Sequence, residues 1–505
     1  MATKHRRSST SSAVRARLMT ATAVAAALTG GLVVATAAPA VAGDSVHHHE
    51  ADFNGDGYGD TAFAAGDATV AGYKEAGSIV ALYGSSTGIS GSKRTTITQN
   101  SPGVPGGAEK GDHFGWTSAY GDFNHDGYDD LAVGASYEKL GTDTDAGLVT
   151  VLWGSAKGLT GGTVIEDPTP SGHDRWGKSL AAGDFDGDGK DDLAVGASGA
   201  TIYVYKGGIT TSGTAGGRYT VKPKIVSGDD TGPLNLSAGD VNGDKRTDLV
   251  VNGFETGTEY GWNTNYYVPG TASGLSVSGA KQLKRGVITG IGDVNGDGYA
   301  DIVTGQDWDP EKPGSDYPSV PESVTGGQVH ITYGSASGPT TTTNITQNSG
   351  NVPGGSERGD WFGGEVSVGD INGDGYQDLV AGASGENLGS PSVVDTGAVT
   401  VLYGSASGID TASGAQFFAQ STPGVPGADE AYDGFGGEVK LTDLNGDGTS
   451  DLVVAAPGEN EGNGALTYLP SNGTKITTTG ARAISTTAAG VDTAGHPLFG
   501  ANAAD

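Results

Sequence analysis

The sequence predicts an all-β fold, a seven-bladed β-propeller of four-stranded antiparallel blades. Three observations support this prediction. An aspartate-rich segment of nine residues recurs seven times, and short apolar segments accompany its copies in a constant order. The chain of 505 residues contains 90 glycines and is only 35% hydrophobic, which suits many short strands with glycine-rich turns. A four-stranded unit that recurs seven times is typical of a β-propeller.

The nine-residue segment carries side-chain oxygens at its positions 1, 3, 5 and 9. Its copies, numbered here as loops 1 to 7, are DFNGDGYGD (52–60), DFNHDGYDD (122–130), DFDGDGKDD (184–192), DVNGDKRTD (240–248), DVNGDGYAD (293–301), DINGDGYQD (370–378) and DLNGDGTSD (443–451). A hard divalent cation such as Ca²⁺ binds oxygens in this arrangement, with a main-chain carbonyl from position 7 and glycine at position 6 for the sharp turn. The predicted ligands are Asp52, Asn54, Asp56, Asp60, Asp122, Asn124, Asp126, Asp130, Asp184, Asp186, Asp188, Asp192, Asp240, Asn242, Asp244, Asp248, Asp293, Asn295, Asp297, Asp301, Asp370, Asn372, Asp374, Asp378, Asp443, Asn445, Asp447 and Asp451. The sequence therefore predicts up to seven Ca²⁺ sites.

Two other structures compete with this interpretation. Asn-Gly and Asp-Gly are the commonest hairpin turns, but a turn alone does not require aspartate at both position 1 and position 9. An EF-hand needs an acid at position 12 and flanking helices. Position 12 is instead Phe63, Val133, Val195, Val251, Thr304, Ala381 or Val454. Short apolar runs follow position 9, so we expect each calcium loop to lie inside a β-hairpin.

The other strands of each unit are predicted from recurring segments. A third strand that alternates apolar and polar residues and ends in an aromatic-Gly turn is predicted at 77–84, 147–154, 327–334 and 397–404. A Thr-rich stretch, such as 95–99 or 343–347, follows as the outer strand. Each unit therefore has four strands, as a propeller blade requires.

An aromatic residue followed by glycine stands eight residues before four of the loops. These pairs are Phe114-Gly115, Trp176-Gly177, Phe362-Gly363 and Phe435-Gly436. We expect each aromatic side chain to wedge between blades. Phe499-Gly500 repeats the pair with no loop after it, so we hypothesise that the C-terminal segment docks against the first blade and closes the ring. Closure removes exposed strand edges, which are templates for aggregation.

The combined frame, aromatic-Gly followed by Gly-Asp-x-Asn-Gly-Asp-Gly-x-x-Asp-Leu-x-Val-Gly-Ala, resembles the FG-GAP repeat. The copy from Asp443 to Pro457 is nearest to the full form. This family includes the N-terminal propellers of integrin α chains and many secreted bacterial proteins. The resemblance implies a seven-bladed propeller with calcium in the hairpin loops of one face and ligand-binding loops on the opposite face.

Three loops depart from the frame. Loop 4 has Lys245 and Arg246 at positions 6 and 7, and we expect this site, 240–248, to be the weakest or empty because cations oppose metal binding. Loop 3 has Asp186 at position 3 and thus four acids, so it should bind most tightly if charge dominates. His125 at position 4 of loop 2 should be tolerated.

The N-terminal segment predicts secretion. Five lysine or arginine residues precede an Ala/Val/Leu-rich stretch that ends in Ala40-Val41-Ala42. A basic region, an apolar region and a small-x-small cleavage site are typical of a secretory signal peptide. We assign residues 1–42 to the signal peptide and 43–505 to the propeller. A retained anchor is disfavoured because Thr, Gly and Pro interrupt the apolar run, and polar residues after Arg6-Arg7 make a twin-arginine signal a poor match.

The net charge and the absence of cysteine exclude several classes of function. The net charge of −31 argues against nucleic-acid binding, which needs a basic surface. The absence of cysteine excludes disulfides and a cysteine nucleophile. We expect a secreted, extracellular monomer without a membrane span after signal removal, which binds an extracellular protein or polysaccharide as an adhesion scaffold.

Two alternatives stay open: a carbohydrate-binding lectin, and a polysaccharide lyase or hydrolase. Aromatic residues cluster at Tyr260, Trp262, Tyr266, Tyr267, Trp308 and Tyr317. Packing between blades is the favoured explanation, and a stacking platform for sugar rings is the functional alternative. An enzyme is the less favoured class, because nothing fixes two of the acids Asp307, Asp309, Glu311 and Asp316 on one rigid element. Arg358-Gly359-Asp360, an integrin-ligand tripeptide, is explained as a repeat position, and His47-His48-His49 as a polar segment.

Overall fold

The computed structural model describes residues 50–228, 231–312, 315, 318–389 and 392–504. The segment assigned to the signal peptide and the three histidines at 47–49 lie outside the described residues, as do Asp316 and Tyr317. No helix within the described ranges has the length and apolar character needed to cross a membrane.

Seven antiparallel sheets follow one another along the chain, and they confirm the predicted seven-bladed propeller. Blade 1 contains β1 (Thr61–Ala65), β2 (Ser78–Leu82) and β3 (Arg94–Ile97); blade 2 contains β4 (Thr117–Gly121), β5 (Asp130–Ala135), β6 (Leu148–Trp153) and β7 (Thr160–Ile165). Blade 3 contains β8 (Ser179–Gly183), β9 (Asp192–Gly196), β10 (Ile202–Tyr205) and β11 (Arg218–Val221); blade 4 contains β12 (Asn235–Gly239), β13 (Asp248–Phe254), β14 (Asn263–Val268) and β15 (Lys281–Gln282). Blade 5 contains β16 (Ile288–Gly292), β17 (Asp301–Gln306), β18 (Gln328–Thr332) and β19 (Thr342–Ile345).

The last two blades carry small additions. Blade 6 contains β20 (Phe362–Gly369), β21 (Asp378–Ala383), β24 (Ala398–Leu402) and β25 (Gln416–Phe418), and the hairpin β22 (Leu388–Gly389)–β23 (Ser392–Val393) is inserted before β24. Blade 7 contains β26 (Glu438–Thr442), β27 (Asp451–Ala456), β28 (Ala465–Leu469) and β29 (Arg482–Ser485). A 3₁₀ turn at Val277–Gly279 and a single helical turn at Glu459–Gly462 complete the described elements.

The order of strands defines two faces. In blades 2 to 7 the aspartate loop joins the first and second strands, and in blade 1 it leads into β1. The third-to-fourth strand turn of each blade lies at the same end, and we call this the loop face. The second-to-third strand hairpins and the connections between blades lie at the other end, the opposite face. Inner strands such as β5 are buried along their whole length, whereas the outer strand β7 is largely half-exposed.

The aromatic-Gly pairs pack between blades, as expected. Phe114 and Trp176 are 1% exposed, and Phe362 and Phe435 are fully buried. Trp176 pairs with Gly147, the residue that leads into the third strand of the preceding blade. A Cβ on Gly147 would come within 2.2 Å of the Trp176 nitrogen, so only glycine permits this approach.

The C-terminal segment closes the ring by completing blade 1. Residues 500–504 run antiparallel to β1: Ala64 N donates to Asn502 O at 2.7 Å, and Ala504 N donates to Ala62 O at 2.9 Å. In blades 2 to 7 the corresponding first strand precedes its loop. Phe499 is fully buried among residues of blades 1 and 7, including Phe63 and Leu466. The predicted docking of the C-terminus is therefore observed, and the segment supplies the missing first strand as well as the aromatic residue.

Candidate metal centres on the loop face

All seven predicted segments lie at the turns between the first and second strands, on the loop face. In loop 5, Asp293 Oδ1 accepts the amides of Gly296 at 2.7 Å and Asp297 at 3.2 Å, and its Oδ2 accepts the amide of Gly298 at 2.8 Å. Gly298, at position 6, has φ of +86°. The position 1 carboxylate thus gathers the backbone of the turn around itself, and the positive φ explains the glycine.

The position 9 aspartate connects the loop to the end of the third strand. Asp301 is fully buried; its Oδ1 accepts the Gly334 amide at 2.9 Å and its Oδ2 accepts the Val294 amide at 3.1 Å. The bond to the third-strand turn recurs in the other six blades, with the donors Gly84, Gly154, Gly207, Gly270, Gly404 and Ser471. This contact was not predicted from the sequence, although the aromatic-Gly turn that supplies most of the donors is visible in the repeat.

Burial dominates the electrostatics of position 9. It raises the pKa of Asp60 and Asp130 to about 8, and the pKa of Asp301 to about 7. The backbone amides oppose the rise, while the carboxylates at positions 1 and 5 add to it. A buried carboxylate beside two others favours neutralisation, by a proton or by a cation.

The donor set of the loops fits a hard divalent cation. Buried oxygens without a hydrogen-bond partner remain at Asn124 Oδ1, Asp130 Oδ2 and Asp192 Oδ2. In loop 3, oxygens of Asp184, Asp186 and Asp188 lie within 4.8 Å of one another. Several carboxylate and amide oxygens around a sharp turn match the ligands that Ca²⁺ takes, and an ion there would neutralise the aspartates.

Two loops have a cation paired with one of their carboxylates. In loop 4, Arg246 Nη1 lies 3.3 Å from Asp244 Oδ2, and Lys245 occupies position 6 with φ of +66°. In loop 3, Lys206 Nζ lies 2.5 Å from Asp186 Oδ2. Sequence analysis did not identify Lys206, which occupies the place of the aromatic residue before Gly207. Its ammonium offsets the additional carboxylate on which the expectation of tightest binding in loop 3 was based.

Neighbouring loops interlock around the ring. A Cβ on Gly55 would lie 2.6 Å from Tyr128 Cε1, so the position 7 side chain of loop 2 covers position 4 of loop 1. The same overlap joins Arg246 to Gly187, Tyr299 to Gly243, Tyr376 to Gly296, Thr449 to Gly373 and Tyr58 to Gly446. Loop 3 has Lys190 at position 7, and loop 2 has His125 with φ of +60° at position 4. The one non-glycine residue at position 4 thus belongs to the pair of neighbouring loops that has the one lysine at position 7.

The opposite face shows which other predicted residues are available to a ligand. Asp360 of the Arg-Gly-Asp tripeptide is 1% exposed and accepts the Glu357 amide, so the tripeptide does not present its carboxylate. Trp308 is 8% exposed and packs inside. Tyr260 and Trp262 stack with ring centroids 5.2 Å apart, and Tyr260 is 40% exposed.

Most of the other candidate residues, on either face, have structural contacts. Tyr267 is 2% exposed and donates its hydroxyl to Asp248, and Tyr266 lies in β14. Asp309 Oδ1 and Oδ2 accept the amides of Gly326 and Gly359, both at 3.0 Å. The Asp309 carboxylate thus holds two connections together. Asp307 and Glu311 lie in the same insertion and also have interaction partners.

Comparison with known proteins identifies the repeats. The FG-GAP repeat family model matches residues 114–152, 176–215, 286–331, 362–402 and 424–469. Phosphatidylinositol-glycan-specific phospholipase D of Homo sapiens is 36% identical over 154 residues, which cover 27% of this chain and 18% of that protein. Integrin alpha-PS5 of Drosophila melanogaster is 40% identical over 97 residues, covering 18% and 9%, and integrin alpha-PS2 of the same organism is 28% identical over 274 residues, covering 54% and 15%. The chain spans less than a fifth of the length of these relatives.

Proposed function

We propose that this chain, an FG-GAP repeat protein similar to integrin α chains, is a secreted calcium-binding propeller that acts as a scaffold for an extracellular ligand. The observation that carries the proposal is the ring of seven loops with buried position 9 aspartates. Taking carboxylates out of water without a partner is costly, and a divalent ion in each loop offsets that cost. Calcium then stabilises the blades by binding the folded loops better than the open chain.

The ligand belongs on the opposite face. On the loop face, the seven aspartate loops repeat one arrangement, and the position 7 side chain of one loop covers position 4 of its neighbour in six of the seven pairs. The connections of the opposite face differ from blade to blade: blade 6 inserts the β22–β23 hairpin, and blade 5 has the long segment between β17 and β18. Variable loops on a rigid scaffold are where binding residues are commonly found.

Secretion is supported by the sequence of residues 1–42, with its basic, apolar and small-x-small regions. Extracellular fluids also contain the calcium that the loops need. Mass spectrometry of the protein recovered from the producing cells tests this point. We expect the chain to begin at Gly43 in the medium; an intact N-terminus retained inside the cell would contradict secretion.

The scaffold role is tested by capture from extracellular material on immobilised protein, in calcium and after chelation. We expect specific capture in calcium that is lost when the fold melts in chelator. Equal capture in both conditions would contradict a calcium-supported binding face. A second variant replaces the β17–β18 segment by the shorter Gly253–Asn263 connection of blade 4. If this variant loses capture but keeps the melting temperature of the wild type, the ligand contacts the opposite face.

A carbohydrate ligand is the second candidate, because Tyr260 and Trp262 form a stacked and partly exposed aromatic pair. Aromatic faces with few competing contacts stack on sugar rings. A glycan array compares the wild type with Trp262→Ala and with Tyr73→Ala, a tyrosine that is 50% exposed on the same face. Loss of signal in the first variant alone supports the lectin; equal signals from all three proteins reject it.

A further inference from the structure

Three connections between blades on the opposite face share one arrangement of glutamine, glutamate and aspartate. We call them the Gln–Glu–Asp clusters: Gln99, Glu138 and Asp112; Gln347, Glu386 and Asp360; Gln420, Glu459 and Asp433. The separation from the glutamine to the glutamate is 39 residues in each. They lie between blades 1 and 2, 5 and 6, and 6 and 7, and none of their residues belongs to an aspartate loop.

The contacts inside the clusters are the same. Gln99 Nε2 donates to Glu138 Oε2 at 2.6 Å, and Gln347 Nε2 donates to Glu386 Oε2 at 2.8 Å. The aspartate accepts the amide of the residue three positions earlier, as in Asp360 Oδ2 to the Glu357 amide at 2.5 Å. Each aspartate also lies near enough to its glutamate to repel it electrostatically.

A glycine is required beside each glutamine amide. A Cβ on Gly106, Gly354 or Gly427 would lie 2.8 to 2.9 Å from the amide nitrogen, and all three glycines have positive φ. The glutamine side chain is therefore held in a fixed position, with its amide nitrogen against the glutamate carboxylate.

The clusters contain buried side-chain oxygens that have no hydrogen-bond partner. Gln99 and Gln347 are 2% exposed and Gln420 is 5% exposed, and the Oε1 atom of each has no hydrogen-bond partner. Asp360 Oδ1, in a residue that is 1% exposed, also has none. Across the described ranges, no ion pair joins a lysine or arginine to the carboxylates of these clusters. Buried carboxylates are normally paired or bound to a metal, and an unsatisfied buried oxygen is costly.

We infer that each Gln–Glu–Asp cluster is a second kind of cation site, which holds a Ca²⁺-like ion between blades on the face opposite the aspartate loops. Two carboxylates and an amide oxygen are hard donors of the type that Ca²⁺ prefers. An ion there would join the outer connection of one blade to the next blade. The inference does not depend on occupancy of the aspartate loops.

The closing connection, from blade 7 to blade 1, provides an internal contrast. Thr486 is 2% exposed and donates its hydroxyl to the carbonyls of Asn463 and Gly464. These two bonds stay within blade 7, and Thr486 stands where the three clusters have a glutamine bonded to a carboxylate of the next blade, so this connection has no such group for an ion to bind.

Equilibrium dialysis with calcium alone, followed by elemental analysis, tests the inference. Glu386→Gln keeps the shape of the side chain and an acceptor for Gln347 but removes one carboxylate. We expect one calcium ion fewer per chain than in the wild type, and two fewer in the double variant Glu138→Gln/Glu386→Gln. Glu259→Gln, an exposed glutamate of the same face, controls for general loss of charge and should bind as many ions as the wild type.

An unchanged calcium count in folded Glu386→Gln overturns the inference, as does an equal loss in Glu259→Gln. Crystals of the wild type grown in calcium give a second test that does not depend on a variant. Anomalous peaks beside Gln99 Oε1 and Gln347 Oε1 support the sites, and their absence from well-ordered clusters overturns them. Asp374→Asn, in loop 6 of the same blade, removes a loop ligand instead and reports separately on the loops.

Discussion

Loops 6 and 4 have the same backbone arrangement but differ in local charge, because loop 4 contains two cations and loop 6 contains none. Asp370 Oδ2 accepts the position 6 amide of Gly375 at 3.0 Å, and Asp240 Oδ2 accepts that of Lys245 at 2.7 Å. Asp378 and Asp248 both accept a third-strand amide at 2.8 Å. Position 7, however, is Tyr376 in loop 6, whereas in loop 4 it is Arg246, which pairs with Asp244.

The comparison indicates that the shape of the loop and its capacity to bind an ion depend on different residues. The same aspartate–amide hydrogen bonds shape the hairpin turn in both loops. We propose that the capacity for a divalent ion depends on whether the carboxylates are already neutralised, by Arg246 in loop 4 and partly by Lys206 in loop 3. Loop geometry alone therefore does not identify an ion-binding loop.

Removal of all calcium is expected to have the largest effect. At a hundredfold excess over its dissociation constant, one bound ion contributes about 2.7 kcal/mol, and several loops add to one another. The melting temperature in chelator should therefore be far lower than the melting temperature in calcium. A melting temperature indifferent to chelator would remove the distinction between loops 6 and 4, because neither would hold an ion.

The stability of the metal-free protein should depend on pH because the position 9 carboxylates are buried. Burial raises the pKa of Asp378 and Asp248 to about 7, above the usual value of 3.8, so the folded state holds more protons than the unfolded state between these limits. Stability is then greatest at low pH and falls as pH rises towards 7. Melting temperatures of dialysed protein from pH 5 to 8 should decrease, and saturating calcium should flatten the slope. An increase over this range without metal would contradict the account.

A substitution at the ring-closing contact tests a source of stability that does not involve calcium. Phe499→Ala removes a fully buried side chain between blades 1 and 7, which typically costs about 3–5 kcal/mol. We expect similar losses of stability with and without calcium, measured by urea unfolding. A variant as stable as the wild type would show that the C-terminal strand does not hold the ring together.

A matched pair of substitutions compares the two loops directly. Position 5 is exposed in both, so Asp374→Asn in loop 6 and Asp244→Asn in loop 4 disturb packing little. Asp374→Asn should lose most of one ion's stabilisation, about 2–3 kcal/mol at a hundredfold excess of calcium. Asp244→Asn should leave the calcium-induced rise in melting temperature unchanged. Equal effects in calorimetry and thermal unfolding would refute the distinction.

Conversion of loop 4 is the smallest expected effect. Lys245→Gly relieves a positive φ, and Arg246→Tyr restores the position 7 residue found in loops 1, 2, 5 and 6. The double variant should bind one more calcium ion than the wild type, with a gain of at most about 2.7 kcal/mol at a hundredfold excess. Titration calorimetry that finds no additional site would mean that another feature weakens loop 4.

Much of the fold was predictable because the aspartate loops and the aromatic-Gly pairs recur in a constant order along the chain. The frame from Asp293 to Asp301 located a hairpin, and Phe499-Gly500 located the closing contact. Lys206 was not predictable as a partner of Asp186, since the two residues meet only after strands β9 and β10 pair. The burial of Trp308 and Asp360 likewise depends on packing between blades, which local sequence does not encode.

Anomalous diffraction from crystals grown in calcium tests the central claim most directly, because it locates each ion. The account predicts peaks among the aspartate oxygens of loops 1, 2, 3, 5, 6 and 7, with the weakest peak or none in loop 4. A well-ordered propeller without calcium peaks in those six loops would contradict it.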